Sequence, residues 1–176
     1  MIYNSLVMSH ISYCLLIWGN AKSKILSPLV SAQKRALRIV HNEHWLKHCD
    51  PLFGALETHK IGDLYKIACG KLIIKFFQDT LPPGLSDLFQ EKQHARSTRL
   101  SENNRLLSVQ KTNRNIQNMP SYNIAHVWNT IIPREFKEFP EASYQFAYKQ
   151  HFINLYNEFE CGKSNCYSCE SRYIRS

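Results

Sequence analysis

The sequence predicts a mostly α-helical protein. Apolar residues recur at three- and four-residue steps in stretch after stretch, the period of one helix face. No segment alternates apolar and polar residues strongly enough to mark a strand. Proline and capping residues fall where such stretches begin, and Gly-Asn or Pro-Gly where they end. The organisation read from this is a helical region over residues 1–89, a basic connector over 90–120, a smaller helical segment over 121–160 and an irregular Cys-containing tail over 161–176.

Ile2–Trp18 opens directly in a helical pattern, with Tyr3, Val7, Ile11, Cys14 and Trp18 on one stripe. A chain that begins inside a helix reads as part of something larger. Gly19-Asn20 would end this helix in the left-handed conformation. The next helix should start near Ser27, with Ser27 as its cap and Pro28 at the first helical position. In it Ile25, Leu26, Leu29, Ala32, Ala36, Ile39 and Val40 form an apolar stripe that would dock on a core. Lys34, Arg38 and His41 share another face, and Arg35 lies beside them. Such a basic face can be merely solvated, or it can meet an anion.

Asp50-Pro51 reads as a helix start, with Leu52, Phe53 and Leu56 on its buried side. Gly62-Asp63 would cap a longer helix from about Leu64 to Thr80, facing Leu64, Ile67, Ala68, Leu72 and Phe76 inward. Leu81-Pro82-Pro83-Gly84 stops it. Asp87–Phe89 is at most a short turn. The connector is rich in Gln, Asn, Ser, Arg and Lys, with short extended pieces expected at Leu106–Val109. Helical spacing returns over Ser121–Ile132, closed by Pro133, and over Ser143–Glu160. In the last helix Phe146, Gln150, Ile153 and Asn157 make one line, with Ala147, Leu155, Tyr156 and Phe159 beside it.

The chain has 176 residues and a formal net charge of +8, with 44% hydrophobic and 20% charged residues. These are values of a packed globular protein. The charge is uneven. Residues 22–75 hold ten Lys/Arg against four Asp/Glu, residues 91–118 six against two, and residues 133–176 six of each. Basic charge gathered in the first two thirds suggests an anionic partner, nucleic acid before membrane. The longest apolar run is Cys14–Trp18, far short of a membrane span. No basic start followed by a hydrophobic run marks a signal peptide. Six cysteines without such a signal suggest reduced thiols or a metal site. An intracellular protein, nuclear or cytoplasmic, is expected.

Catalytic chemistry is sparse. There is no Asp-Asp pair to clamp two metal ions, no Gly-rich phosphate loop and no nucleophile elbow. Three histidines, His41, His44 and His48, fall near Cys49, where a Cys–His pair is conceivable but a surface role is the simpler reading. In the tail Cys161, Cys166 and Cys169 are spaced C-x4-C-x2-C. The two-residue gap is a chelating spacing for zinc, with His151 as a fourth ligand; the plain alternative is free thiols. Lys34, Arg35, Arg38 and His41, with Arg96, Arg99 and Arg105 in the connector, are the candidate phosphate contacts.

The ordered series YNSLV-x2-HISYCLLIWGN (Tyr3–Asn20), LVSAQKRALRIV (Leu29–Val40), HCDPLFGAL (His48–Leu56) and IGDLYKI (Ile61–Ile67) resembles one protein class. So do LPPGLSDLF (Leu81–Phe89), HARSTR (His94–Arg99), Thr112–Arg114, VWNTIIPREFK (Val127–Lys137) and the Phe-rich helix Phe146–Tyr156. Together they resemble the region downstream of the polymerase active site in reverse transcriptases of non-LTR retrotransposons, the LINE class, of the jockey-like kind. The resemblance implies that Met1–Gln78 corresponds to the helical thumb and the segment directly after it, so that region 1–89 is thumb-like. Residues 79–160 correspond to the helical C-terminal segment. It also implies RNA or an RNA–DNA duplex as partner, together with a palm that is not in these residues. The palm's Tyr-x-Asp-Asp aspartates, and the Mg2+ they would hold, are absent from this sequence, so no polymerisation is expected of the chain by itself. Some related elements end in a cysteine- and histidine-rich knuckle; the tail here lacks the internal His of that pattern.

Overall fold

In a computed structural model of the chain, residues 2–91, 107–108 and 119–161 are described. Among them the protein is mostly helical, as the spacing predicts. The chain divides into two compact units. One holds Met1–Cys14, Ala21–Leu64 and Lys149–Ser176; the other holds Leu15–Asn20 and Tyr65–Tyr148.

The opening stretch is not one helix. Asn4–Met8 winds as a π-helical turn, and α1 (Ser9–Ser12) comes next. The chain then breaks, with Tyr13 extended and Cys14 left-handed at φ 50°, before α2 (Leu15–Trp18). Serine hydroxyls compete for the carbonyls here: Ser9 Oγ donates to the Ser5 carbonyl at 2.5 Å and Ser12 Oγ to that of Ser9 at 3.2 Å. Such back-bonding weakens a helix. Gly19 is not left-handed either. It is glycine because a Cβ there would meet the Leu15 carbonyl oxygen and Tyr65 Cδ2, both at 2.6 Å.

The basic helix, α3 (Ser23–Val40), starts four residues before the expected Ser27 cap. Lys22 precedes it in an extended conformation, and Pro28 lies inside, forgoing one hydrogen bond. In α4 (Asp50–Ala55) the cap is Cys49, not Asp50. Asp50 is the first helical residue, and its carboxylate takes Lys60 Nζ at 2.8 Å. Helix α5 (Ile61–Phe77) already includes Gly62 and Asp63, so they do not cap it; Asp63 instead accepts the Tyr156 hydroxyl at 2.5 Å.

Three helical stretches end alike. Asn42, Glu57 and Asp79 are left-handed, at φ 51°, 48° and 52°. The next amides along the chain, Glu43, Thr58 and Thr80, reach back to the carbonyls of Arg38, Phe53 and Lys75 at 2.8, 3.0 and 3.0 Å. This is the six-to-one bond that satisfies orphan carbonyls at a helix end, here without glycine.

The second unit continues with α6 (Pro83–Ser86), the expected stop having become a turn of helix. Strand β1 (Gln90–Glu91) pairs antiparallel with β2 (Leu107–Ser108), which lies within the stretch expected to be extended. The Asn129 side chain extends the pairing: its Oδ1 accepts Leu107 N–H at 3.0 Å and its Nδ2 donates to Leu107 O at 2.9 Å. Helix α7 (Pro120–His126) passes into a π-helical turn, Val127–Ile131. Thr130 Oγ1 donates to the His126 carbonyl there at 2.6 Å, again a hydroxyl entering the helix ladder. Helices α8 (Arg134–Lys137) and α9 (Glu141–Asn157) complete the order.

Burial corrects the expected stripes on the long helices. On α3 the buried residues are Gln33 and Leu37, while Ile25 is 67% and Ile39 78% exposed. On α5 Tyr65, Ile67, Cys69, Ile73 and Ile74 are buried; Leu64, Ala68, Leu72 and Phe76 are only half so. On α9 the buried line runs Tyr144, Tyr148, Phe152, Tyr156 at four-residue steps, and Phe146 is 72% exposed. Tyrosine rings carry most of the apolar area of that face. In the first unit Phe53 meets Tyr156 at 5.7 Å between ring centroids. In the second, Phe77 meets Trp128 at 5.7 Å and Phe136 meets Tyr148 at 4.7 Å.

Candidate nucleic-acid interface

Helix α3 has three sectors, all within the first unit. Leu26, Val30, Gln33 and Leu37 face inward. Lys34, Arg38 and Arg35 come next around the barrel of the helix, with Ser31 among them. Ile25, Leu29, Ala32, Ile39 and Val40 form the third sector, which is exposed. The buried and basic sectors adjoin, so Lys34 and Arg38 are half-buried and Arg35 is exposed.

The loop after α3 turns this basic sector into a cleft of about 540 Å³. Its walls are Ser31, Lys34, Arg35, Arg38 and Ile39 from the helix and Glu43, Trp45 and Leu46 from the loop. The loop is tied down at several points. Arg38 Nε donates to the Lys47 carbonyl at 2.9 Å. Lys47 pairs with Glu43, and Lys47 N–H donates to His44 O at 3.0 Å. Leu46 N–H donates to His44 Nδ1 at 3.3 Å. Cys49 Sγ–H donates to Lys34 O at 3.7 Å.

Electrostatically the cleft is cationic. Among the described residues Lys47, Lys60 and Lys75 make ion pairs, and none of these three pairs involves Lys34, Arg35 or Arg38. Glu43 is the one acid in the lining, and Lys47 neutralises it. Half-buried cations without a carboxylate partner attract phosphate oxygens more strongly than fully solvated ones.

The expected contacts divide three ways. Lys34, Arg35 and Arg38 come together in the cleft. His41 does not join them: it ends the helix with Nε2 enclosed and without a hydrogen-bond partner among the described residues. Arg96, Arg99 and Arg105 lie outside the described residues. Trp45, 71% exposed on the loop, was missed. Its signal was a tryptophan in a run that is polar apart from it and Leu46, HNEHWLKH. The Cys–His idea finds no thiolate: burial pushes the Cys49 thiol up against the opposing pull of Arg38 and Lys34. Cys161 is half-buried, and Cys166 and Cys169 lie outside the described residues. Among the described residues no three His, Cys, Asp or Glu are grouped to hold a metal ion. No helix among them is long and apolar enough to cross a membrane.

No family model matches the chain, and no curated protein or solved structure does.

Proposed function

We propose that this chain is the thumb and downstream region of a non-LTR retrotransposon reverse transcriptase, and that it binds RNA or an RNA–DNA duplex through the phosphate backbone. The cleft of α3 is the observation that carries this: three cations with no carboxylate partner among the described residues, two of them half-buried, on one helix. Backbone neutralisation of this kind gives affinity without reading sequence. Polymerisation would need the palm's paired aspartates and their Mg2+, which these residues do not supply. The tail cysteines add a zinc site only if Cys166 and Cys169 join Cys161.

The test is the salt dependence of binding. Lys34→Glu with Arg35→Glu leaves the Arg38–Lys47 tie intact. Each lost contact should lower the log–log salt slope by about 0.9 on duplex DNA. An unchanged slope in a folded double variant refutes this face as the interface.

A second reading has its own observation. The exposed Ile25, Leu29, Ile39 and Val40 would suit a co-opted or decayed open reading frame acting as a protein-interaction module. A folded protein that binds neither duplex nor single strands at low salt would favour it.

A further inference from the structure

We infer that the cleft of α3 holds an unpaired nucleotide, its base stacked on Trp45 and its neighbouring phosphates on Lys34, Arg35 and Arg38. This rests on the backbone-binding reading above and narrows its ligand to single strands and overhangs.

Four observations converge. Trp45 is 71% exposed, yet the loop that carries it is fixed by the Arg38–Lys47, Lys47–His44 and Leu46–His44 hydrogen bonds. An indole held out on a tethered loop is preorganised to stack, with little entropy left to lose. Ile39 and Leu46 give the cleft apolar wall beside the indole. The volume of about 540 Å³ is that of a small-ligand site. One or two nucleotides fill such a space; a duplex can meet the cations with its backbone phosphates but keeps its bases stacked on each other, away from the indole. The charge then sorts the ligand. Three cations face the cleft and Glu43 is neutralised by Lys47, so an anion with a flat apolar face is the complementary shape. A nucleotide is such an anion. An apolar peptide would leave the cations unmatched.

Stacking on an aromatic side chain is sequence-tolerant and contributes about 1–3 kcal/mol per base. The inference therefore predicts a particular pattern of losses. Binding is read by fluorescence anisotropy with oligo(U), a blunt RNA–DNA duplex, and the same duplex with a short unpaired tail. The wild type should prefer the tailed to the blunt duplex. Trp45→Ala should weaken oligo(U) and the tailed duplex by about 5- to 150-fold and leave the blunt duplex unchanged. Trp45→Phe should restore most of the loss. Tryptophan emission should fall on oligo(U) binding in the wild type and much less in Trp45→Ala.

Two results overturn the inference while sparing the broader reading. In one, Trp45→Ala binds oligo(U) as the wild type does, while Lys34→Glu with Arg35→Glu weakens every ligand. In the other, Trp45→Ala weakens blunt and tailed duplexes equally, so the indole only shapes the loop. If the folded wild type binds none of the three ligands, or binds an acidic peptide in their place, both readings fall together.

Discussion

Gln33 and His59 are joined by a buried hydrogen bond, Gln33 Nε2 donating to the His59 carbonyl at 2.8 Å. The other end of the same amide accepts Ile61 N–H at 3.3 Å. One side chain of α3 thus satisfies the two backbone groups that lead into α5. Replacing it by Leu keeps the volume and orphans both. Each buried unsatisfied group costs about 1–3 kcal/mol. Gln33→Leu should therefore lower stability by about 3 kcal/mol, read as a fall in the urea midpoint at unchanged slope.

His59 itself titrates against the fold. It is buried, and its Nε2–H donates to the Lys149 carbonyl at 3.1 Å. Burial holds its pKa below the ordinary 6.5, despite that carbonyl and Asp63 pulling upward. The unfolded chain takes up the proton first. Stability from this group is complete above pH 6.5 and is lost as pH falls below it, down to the folded pKa. For one proton the slope within that window has an upper bound of about 1.4 kcal/mol per pH unit. His59→Gln should flatten the wild-type fall in urea midpoint between about pH 7.5 and about pH 5. Identical pH profiles would show that His59 does not carry the effect.

Gly70 and Tyr144 occupy one space in the second unit. A Cβ on Gly70 would land on the Tyr144 hydroxyl and ring, with Ile132 Cδ1 3.0 Å away. The Tyr144 hydroxyl is enclosed and has no hydrogen-bond partner among the described residues. Gly70→Ala should cost about 3 kcal/mol by overpacking, more than the helix propensity of alanine returns. Tyr144→Phe removes an unpaired polar group and should be neutral or mildly stabilising. In Gly70→Ala/Tyr144→Phe the two changes should couple by about 1 kcal/mol, measured in a double-mutant cycle. Gly54→Ala is the contrast. There the new Cβ meets the tip of the exposed Asn157 side chain, which can swing away, so the loss should stay below about 1 kcal/mol.

Glu57 and Asp79 end helical stretches in a conformation glycine adopts freely and they do not. Glu57→Gly and Asp79→Gly should each stabilise by about 1 kcal/mol, raising Tm by roughly 2–4 °C. Asn42→Gly should gain less, since asparagine tolerates this region. A fall in Tm for Glu57→Gly would mean its side chain contributes more than the backbone strain removes.

The helical class was legible because period and punctuation agree along most of the chain. The cations of the cleft were legible too, since their spacing alone places Lys34 and Arg38 one turn apart. What spacing could not reveal is which sector a neighbour covers. Gln33 shows why: a polar residue in the middle of the buried face makes the apolar residues of another face look like the core. Tyr144 and Tyr148 did the same on α9, where the more hydrophobic Phe146 is outside, while Tyr156, expected to add apolar area, is buried. Helix ends were misread for a simpler reason. The left-handed positions are held by Asn42, Glu57 and Asp79, and the glycine expected to do this work, Gly19, is there for close packing. Trp45 was hidden because period says nothing about a loop.

The outward apolar sector of α3 gives the molecule two opposite responses to electrolyte. On the proposed function, ions would loosen a polyanion from Lys34, Arg35 and Arg38 by competing for the same charges. They also screen the mutual repulsion of chains that each carry +8, and leave the attraction between copies of Ile25, Leu29, Ile39 and Val40 intact. If the proposed binding holds, added salt would release the ligand and at the same time favour self-association, and Lys34, Arg35 and Arg38 would contribute both to holding the ligand and to the net charge that keeps copies apart.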